Sequence, residues 1–187
     1  MVMVREFHPL DIDKNTKEEI CRLHQSVFRL DDEEIIECLS DRDVLFTFVD
    51  EKSHKLMGTV AVRWIEHNDK VIVYVGNAVF YEKYQRQNFL SYIVYKVLLK
   101  TFIKFPLRTI YFSSAMTTPK AFNICRRFPE HYPRADVKAS SEVISVMDTV
   151  SKEVCGEGNY SVYDDIFITH SLNKENFQSQ DSQFQCS

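Results

Sequence analysis

The stretch Gly76–Phe102, GNAVFYEKYQRQNFLSYIVYKVLLKTF, decides the fold of this 187-residue chain. It begins as an apolar strand, passes through the polar loop EKYQRQN and continues at once as a long amphipathic helix. Backbone amides in the first turn of a helix have no partner within the helix, and they carry a partial positive charge that suits a phosphate. The order of strand, polar loop and helix therefore predicts an anion-binding loop over Glu82–Asn88.

Composition is that of an ordinary globular protein with enough length for one domain and a real core. Hydrophobic residues make up 44% of the chain and charged residues 27%, values typical of soluble domains. A net charge of −4 gives no reason to expect nucleic acid or an anionic membrane as the main partner. The first residues are too polar for a signal peptide, and no apolar run approaches a membrane span. We expect a soluble, cytoplasmic protein.

The cysteines and histidines show no spacing typical of a disulfide framework or a metal site. The five cysteines stand at positions 21, 38, 125, 155 and 186 and form neither a CxxC pair nor a Cys/His zinc pattern. Reduced thiols and no bound metal are the expectation.

Upstream of the opening stretch, the residue pattern predicts a strand, two helices and three strands. MVMVREF alternates as a strand does, and apolar residues recur at helical spacing over Asn15–Leu30. DDEEIIECL reads as a second short helix with an acidic first turn. Three β-rich segments separated by turn-like residues predict antiparallel strands: DVLFTFVD, LMGTVAVRWIE and KVIVYVGNAVF.

Downstream, the helix is expected to end at Pro106 and to be followed by the strand RTIYFSSA, paired in parallel with the strand before the helix. TPKAFNICRRF and residues 141–155 are predicted helices, the latter capped by serine and stopped by Gly156. YSVYDDIFITHSL is predicted as a last strand. The expected organisation is a single domain over residues 1–170 and a polar tail over 171–187.

This order of elements resembles the GNAT superfamily of acyl-CoA-dependent N-acyltransferases. The resemblance implies an α/β (α+β) fold with a mixed, mostly antiparallel sheet of six to seven strands and helices on both faces. Residues 141–155 would be an extra helix before the last strand. The resemblance also implies acetyl-CoA or a longer acyl-CoA as co-substrate, and a small-molecule or peptide amine as acceptor.

The pyrophosphate loop of that superfamily resembles Gln/Arg-x-x-Gly-x-Gly/Ala, and Gln85–Leu90 stand at its positions. Gln85 matches the first position, and Asn88 replaces the first glycine as the next-best residue for a left-handed backbone. Leu90 replaces the second small residue, where a branched side chain crowds an approaching pyrophosphate. The cofactor-binding residues implied by the resemblance are Ala78, Val79, Phe80, Gln85, Arg86, Gln87, Asn88, Phe89, Leu90, Ser91 and Thr118.

Gly76 and Asn77 interrupt the apolar strand before the loop. An isolated glycine in a strand often marks a bulge, and GNAT proteins have a bulged, splayed strand at this place. An amide near Ala78 or Val79 would then polarise the thioester carbonyl. The alternative is that Gly76 relieves packing against a neighbouring aromatic ring, Tyr74 or Trp64.

Three residues are candidates for acid–base chemistry. Cys125 stands where the superfamily places a proton-donating tyrosine. Its segment resembles Asn-x-x-Ala-x-x-Leu-Tyr and has Thr118 in place of asparagine. The alternative for Cys125 is a buried, inert cysteine. Glu82 and Glu66 are candidate general bases, with solvated turn residues as the alternative.

Two functions remain open at this stage. One is an acyl-CoA-dependent N-acyltransferase, acetyltransferase-like, that works by direct transfer. The other is a degenerate GNAT-like binding or regulatory module without that activity, which the departures at Leu90, Thr118 and Cys125 favour. The sequence leaves open whether two copies form a homodimer.

Overall fold

A computed structural model describes residues 1–85, 87, 89–115, 130–134, 136–163 and 166–169. Its internal contacts divide the chain into two compact units. The first comprises Met1–Val62, Asn77–Ile93 and Asn173–Ser187, and the second comprises Arg63–Gly76 and Val94–Leu172. The single domain expected for residues 1–170 stays a prediction.

The described elements appear in the predicted order. The strands are β1 Val2–Phe7, β2 Val44–Asp50, β3 Leu56–His67, β4 Lys70–Phe80, β5 Thr109–Ser113, β6 Tyr160–Tyr163 and β7 Ile166–Thr169. The helices are α1 Lys14–Gln25, α2 Asp32–Ser40, α3 Phe89–Lys104 and α4 Ser141–Cys155. Short 3-10 turns lie at Pro9–Asp11 and Glu82–Tyr84. The helix predicted over TPKAFNICRRF and the tail over 171–187 lie outside the described residues.

Five strands form one sheet in the order β1-β2-β3-β4-β5. The β1–β2 and β2–β3 pairs are antiparallel. β4 and β5 are parallel, in a register that runs from Lys70↔Thr109 to Tyr74↔Ser113. A parallel pair needs a long crossover, and α3 supplies it. The predicted fold class, a mixed and mostly antiparallel sheet in an α/β protein, is confirmed.

The prediction of one last strand is wrong. The segment forms two antiparallel strands, β6 and β7, paired from Tyr160↔Thr169 to Tyr163↔Ile166. They make a separate two-stranded sheet, so the predicted six to seven strands divide into five and two among the described residues. The two residues between the strands in the sequence, 164 and 165, are both aspartate. Aspartate is rare in strand interiors and common in turns.

Helix α1 is shorter than the predicted Asn15–Leu30. It ends at Gln25, where the Ser26 hydroxyl donates to the Leu23 carbonyl at 2.6 Å. Serine competes with the helical hydrogen bonds in this way, so the apolar spacing continues to Leu30 while the helix does not. α2 begins as predicted at its acidic turn, with a reciprocal capping box between Asp31 and Glu34.

Within the first unit, α1 and α2 cover one face of the sheet. Their buried residues form a cluster with strand residues; its members include Ile20, Leu23, Ile35, Leu39, Leu45, Ala61 and Val79. Successive strand residues point to opposite faces, so Phe46 and Phe48 of β2 are buried on the other face. Burial on both faces accounts for the apolar character of β2.

Within the second unit, α4 and α3 pack on opposite faces. The buried Val146 and Val150 of α4 join a cluster with Ile65, Ile72 and Tyr74. The neighbouring Trp64 points the other way, and its Nε1 donates to Thr101 Oγ1 of α3 at 2.7 Å. The expected extra helix and the expected helices on both faces are therefore confirmed.

Helix α4 has the predicted limits. Ser140 accepts from the Val143 amide at the start, and Gly156 follows the end with a φ of 84°. In the described part of the chain, no helix is long and apolar enough to cross a membrane.

Candidate functional site

Strand β4 loses regular geometry at Asn77. Its φ is 48°, in the left-handed region that asparagine tolerates better than most residues. Asn77 is half-buried, the next residue Ala78 is exposed, and Val79 is buried again. Asn77, and not Gly76, is the left-handed residue of β4, which continues as one strand from Lys70 to Phe80. The bulge expected at Gly76–Asn77 stays a prediction.

Gly76 has the packing role given above as the alternative. A Cβ at this position would lie 2.6 Å from Cε1 of Tyr74. Real Cβ atoms do not approach an aromatic carbon so closely, so the glycine gives the Tyr74 ring its place.

Two polar side chains of the first unit contact Asn77, and a third contacts one of these two. Arg42 Nε donates to Asn77 Oδ1 at 3.4 Å, and the Thr59 hydroxyl donates to the Asn77 carbonyl at 3.5 Å. His24 Nε2 lies 3.0 Å from Thr59 Oγ1. His24 is 1% exposed and Thr59 is fully buried. The left-handed residue is therefore held by both its side chain and its carbonyl.

His24 is neutral at physiological pH. Burial lowers its pKa from 6.5 to about 4, because the interior disfavours the charged imidazolium. The sequence pattern gave His24 no role, because the histidines lack metal-site spacing. Its place one turn after the buried Ile20 was the available signal that it faces the core.

Three phenylalanines connect the end of β4 to the start of α3. The ring centroids of Phe48 and Phe80 lie 5.0 Å apart, those of Phe48 and Phe89 lie 5.1 Å apart, and those of Phe80 and Phe89 lie 5.4 Å apart. Gly58 makes room for this cluster, because a Cβ there would collide with the Phe80 ring. The cluster fixes the first residue of α3 against the last residue of β4.

The polar loop follows Phe80 and precedes Phe89, so both of its ends lie beside this cluster. It forms the turn Glu82–Tyr84, whose last amide donates to the Tyr81 carbonyl at 2.8 Å. The Gln85 side chain closes the loop by donating from Nε2 to the Phe80 carbonyl at 3.2 Å. The residue that matches the first position of the pyrophosphate motif thus has a structural role here.

The start of α3 suits an anion. Its first turn carries no acidic residue, so no side chain opposes the positive end of the helix dipole. Ser91 is exposed in that turn, and Gln85 and Gln87 are exposed before it. Leu90 lies in the same turn, and its side chain lies outside the described part of the chain.

Most of the predicted site residues that the structure describes belong to the first unit. These are Glu82, Ala78, Val79, Phe80, Gln85, Gln87, Phe89, Ser91 and the backbone of Leu90. Glu66 belongs to the second unit, where its carboxylate pairs with Arg108 at 3.4 Å. Arg86, Asn88, Thr118 and Cys125 lie outside the described residues. The roles of all these residues stay predictions.

No group of three or more His, Cys, Asp or Glu side chains with metal-site geometry occurs among the residues that the structure describes.

Solved structures that share this fold include acetyltransferases. A probable acetyltransferase from meticillin-resistant Staphylococcus aureus is 18% identical with a TM-score of 0.52, over 75% of this chain and 97% of that one. A ribosomal-protein-alanine N-acetyltransferase from Brucella melitensis biovar Abortus is 10% identical with a TM-score of 0.52, over 75% and 99%. An aminoglycoside N-acetyltransferase in complex with CoA is 10% identical with a TM-score of 0.53, over 75% and 95%. The sequence matches no protein-family model and no curated protein. The chain has the GNAT fold.

Proposed function

We propose that this protein is an acyl-CoA-dependent N-acyltransferase, acetyltransferase-like, that transfers its acyl group directly to an amine. The observation that carries the proposal is the arrangement after Gly76 in the first unit. β4 contains a left-handed residue, Asn77, a closed polar loop follows the strand, and a helix begins without an acidic residue in its first turn. The GNAT fold and the CoA bound to one protein of that fold support the same function.

In this proposal the pyrophosphate of acyl-CoA binds the amides from Gln85 to Ser91. The Phe48, Phe80 and Phe89 rings keep the start of α3 in place, so its amides need little rearrangement to meet the ligand. A small-molecule or peptide amine is the acceptor.

The reaction needs one carbonyl to be polarised and two protons to move. The thioester lies along β4, and an amide near Ala78 or Val79 donates to its carbonyl oxygen. The amine nitrogen attacks the carbonyl carbon and forms a tetrahedral intermediate; its collapse breaks the C–S bond and releases the CoA thiolate. Glu82, directly or through water, is our candidate to accept the amine proton, and Cys125 is our candidate to protonate the thiolate. Glu66 is the second candidate base.

Leu90 favours a second function, a binding or regulatory module that has kept the fold and lost the transfer reaction. It replaces a small residue of the motif and lies in the first turn of α3. Fold alone does not separate the two functions.

Titration calorimetry with acetyl-CoA and with a longer acyl-CoA tests the proposal. We expect micromolar binding and release of CoA in the presence of an amine. Absence of binding at millimolar concentration would leave the module as the better description.

Ser91→Glu tests where the pyrophosphate binds. A carboxylate in the first turn stabilises the helix, so the variant should fold. It should weaken acyl-CoA binding by about tenfold, because one added like charge near a bound phosphate costs roughly 1 kcal/mol or more. Asn15→Glu is the matched control, since Asn15 is exposed in the first turn of α1 and gains the same charge. Equal affinities in the two variants would place the pyrophosphate elsewhere.

A further inference from the structure

We infer that His24 and Thr59 are positioning residues, which orient the Asn77–Ala78 peptide so that the Ala78 amide points at the reacting carbonyl. The inference rests on the proposed function and deepens it, because it selects one amide of β4 and names the groups that aim it.

His24 and Thr59 are buried polar residues. Both belong to the first unit, whose buried residues are mostly apolar, and each has a polar group there. Burying a polar group without a hydrogen bond is costly, so a histidine and a threonine persist in such a place when they bond to each other. Packing alone needs only apolar side chains of similar size.

The single hydrogen of the Thr59 hydroxyl fixes the direction of its two hydrogen bonds. A threonine hydroxyl has one hydrogen, and the Thr59 hydroxyl donates it to the Asn77 carbonyl at 3.5 Å. Its oxygen then accepts from His24 Nε2, 3.0 Å away, which assigns the proton of the neutral ring to that nitrogen. Without the His24 donor, the hydroxyl is free to rotate away from Asn77.

The planarity of the peptide bond links the direction of the Asn77 carbonyl to that of the Ala78 amide. The carbonyl of Asn77 and the amide of Ala78 belong to one planar trans peptide, in which C=O and N–H point in opposite directions. A carbonyl held toward Thr59 therefore aims the Ala78 N–H the other way. Arg42 restrains the same residue through Asn77 Oδ1 at 3.4 Å, and Ala78 is exposed. A turned amide on an exposed residue is the arrangement that an oxyanion donor requires.

Thr59→Val is the decisive substitution, because valine keeps the shape of threonine and loses the hydroxyl. Thr59→Ser restores the hydroxyl, and Thr47→Val makes the same exchange at the buried threonine opposite Thr59 on β2. His24→Leu removes the imidazole donor without supplying another, as a second, independent variant.

Two measurements separate the inference from the proposed function. The first is the amide resonance of Ala78 in ¹H–¹⁵N spectra of the protein without ligand. It should move in Thr59→Val and His24→Leu, and stay close to wild type in Thr59→Ser and Thr47→Val. An unmoved resonance in Thr59→Val overturns the inference, whether or not the wild-type protein transfers acyl groups.

The second measurement is kinetic. Thr59→Val should lower kcat by about tenfold to a hundredfold, with acyl-CoA affinity within about twofold of wild type, because a misdirected oxyanion donor affects the transition state more than the bound substrate. Thr59→Ser should recover most of kcat. A wild-type kcat in Thr59→Val, or a loss shared equally by Thr47→Val, overturns the inference. A wild-type protein that neither binds nor turns over acyl-CoA counts against the proposed function, and the Ala78 resonance then decides the positioning claim.

Discussion

Mild acid should destabilise the protein through His24. Burial lowers its pKa from 6.5 to about 4, so the folded state binds this proton less readily than the unfolded state does. The stability that His24 contributes is therefore complete above the unfolded pKa, and it is lost as pH falls from that value toward the folded one. With these two values, the loss between about pH 7.5 and about pH 5 amounts to about 2 kcal/mol.

Urea unfolding at several pH values measures this loss. The free energy of unfolding should fall by that amount in the wild-type protein, and the denaturant slope should stay constant. The carboxyl groups of Asp13 and Asp50 have lowered pKa values because of their local hydrogen bonds, so their contributions are lost at more acid pH. The chosen interval therefore reports mainly on histidine.

His24→Gln is the comparison that assigns the effect. The variant should be less stable at neutral pH, and its unfolding free energy should change much less across the same interval. Equal pH dependence in the variant and the wild type would refute the reasoning, because the loss would then belong to other groups.

Two further substitutions test the region around the loop. Gly58→Ala should cost about 1–3 kcal/mol of unfolding free energy, because the new Cβ collides with the Phe80 ring; a stability equal to wild type in urea would show that the ring moves aside freely. Leu90→Gly should tighten acyl-CoA binding in calorimetry, despite a loss of helix propensity of about 1 kcal/mol. Unchanged or weaker binding in a folded variant would count against an obstructing side chain at this position.

The sequence predicted well those features that depend on neighbouring residues. The strand, loop and helix around Gly76–Phe102 were readable because apolar spacing changes from two to nearly four residues there. The limits of α4 were readable because Ser140 and Gly156 are local start and stop signals. The parallel pairing of β4 and β5 followed from the helix that separates them.

The features that the sequence did not predict depend on contacts between distant residues. The links among His24, Thr59 and Asn77 join positions that are 35 and 18 residues apart, so no local pattern announces them. The need for Gly58 arises from the Phe80 ring of another strand. The end of α1 at Gln25 is a local exception, because it depends on a serine hydroxyl that bonds only three residues back and that apolar spacing does not register.

Trp64 is a fluorescence probe that reports on the second unit. It is the single tryptophan of the chain, and its contacts with Thr101 and with the Lys104 ammonium, 4.8 Å from the ring centroid, all lie within the second unit. Indole emission thus reports local melting around β3 and α3, while circular dichroism averages over the whole chain. If the two signals change at different urea concentrations, the units unfold in separate steps and one midpoint does not describe the protein. Coincident curves would show that the division into two units carries no thermodynamic boundary.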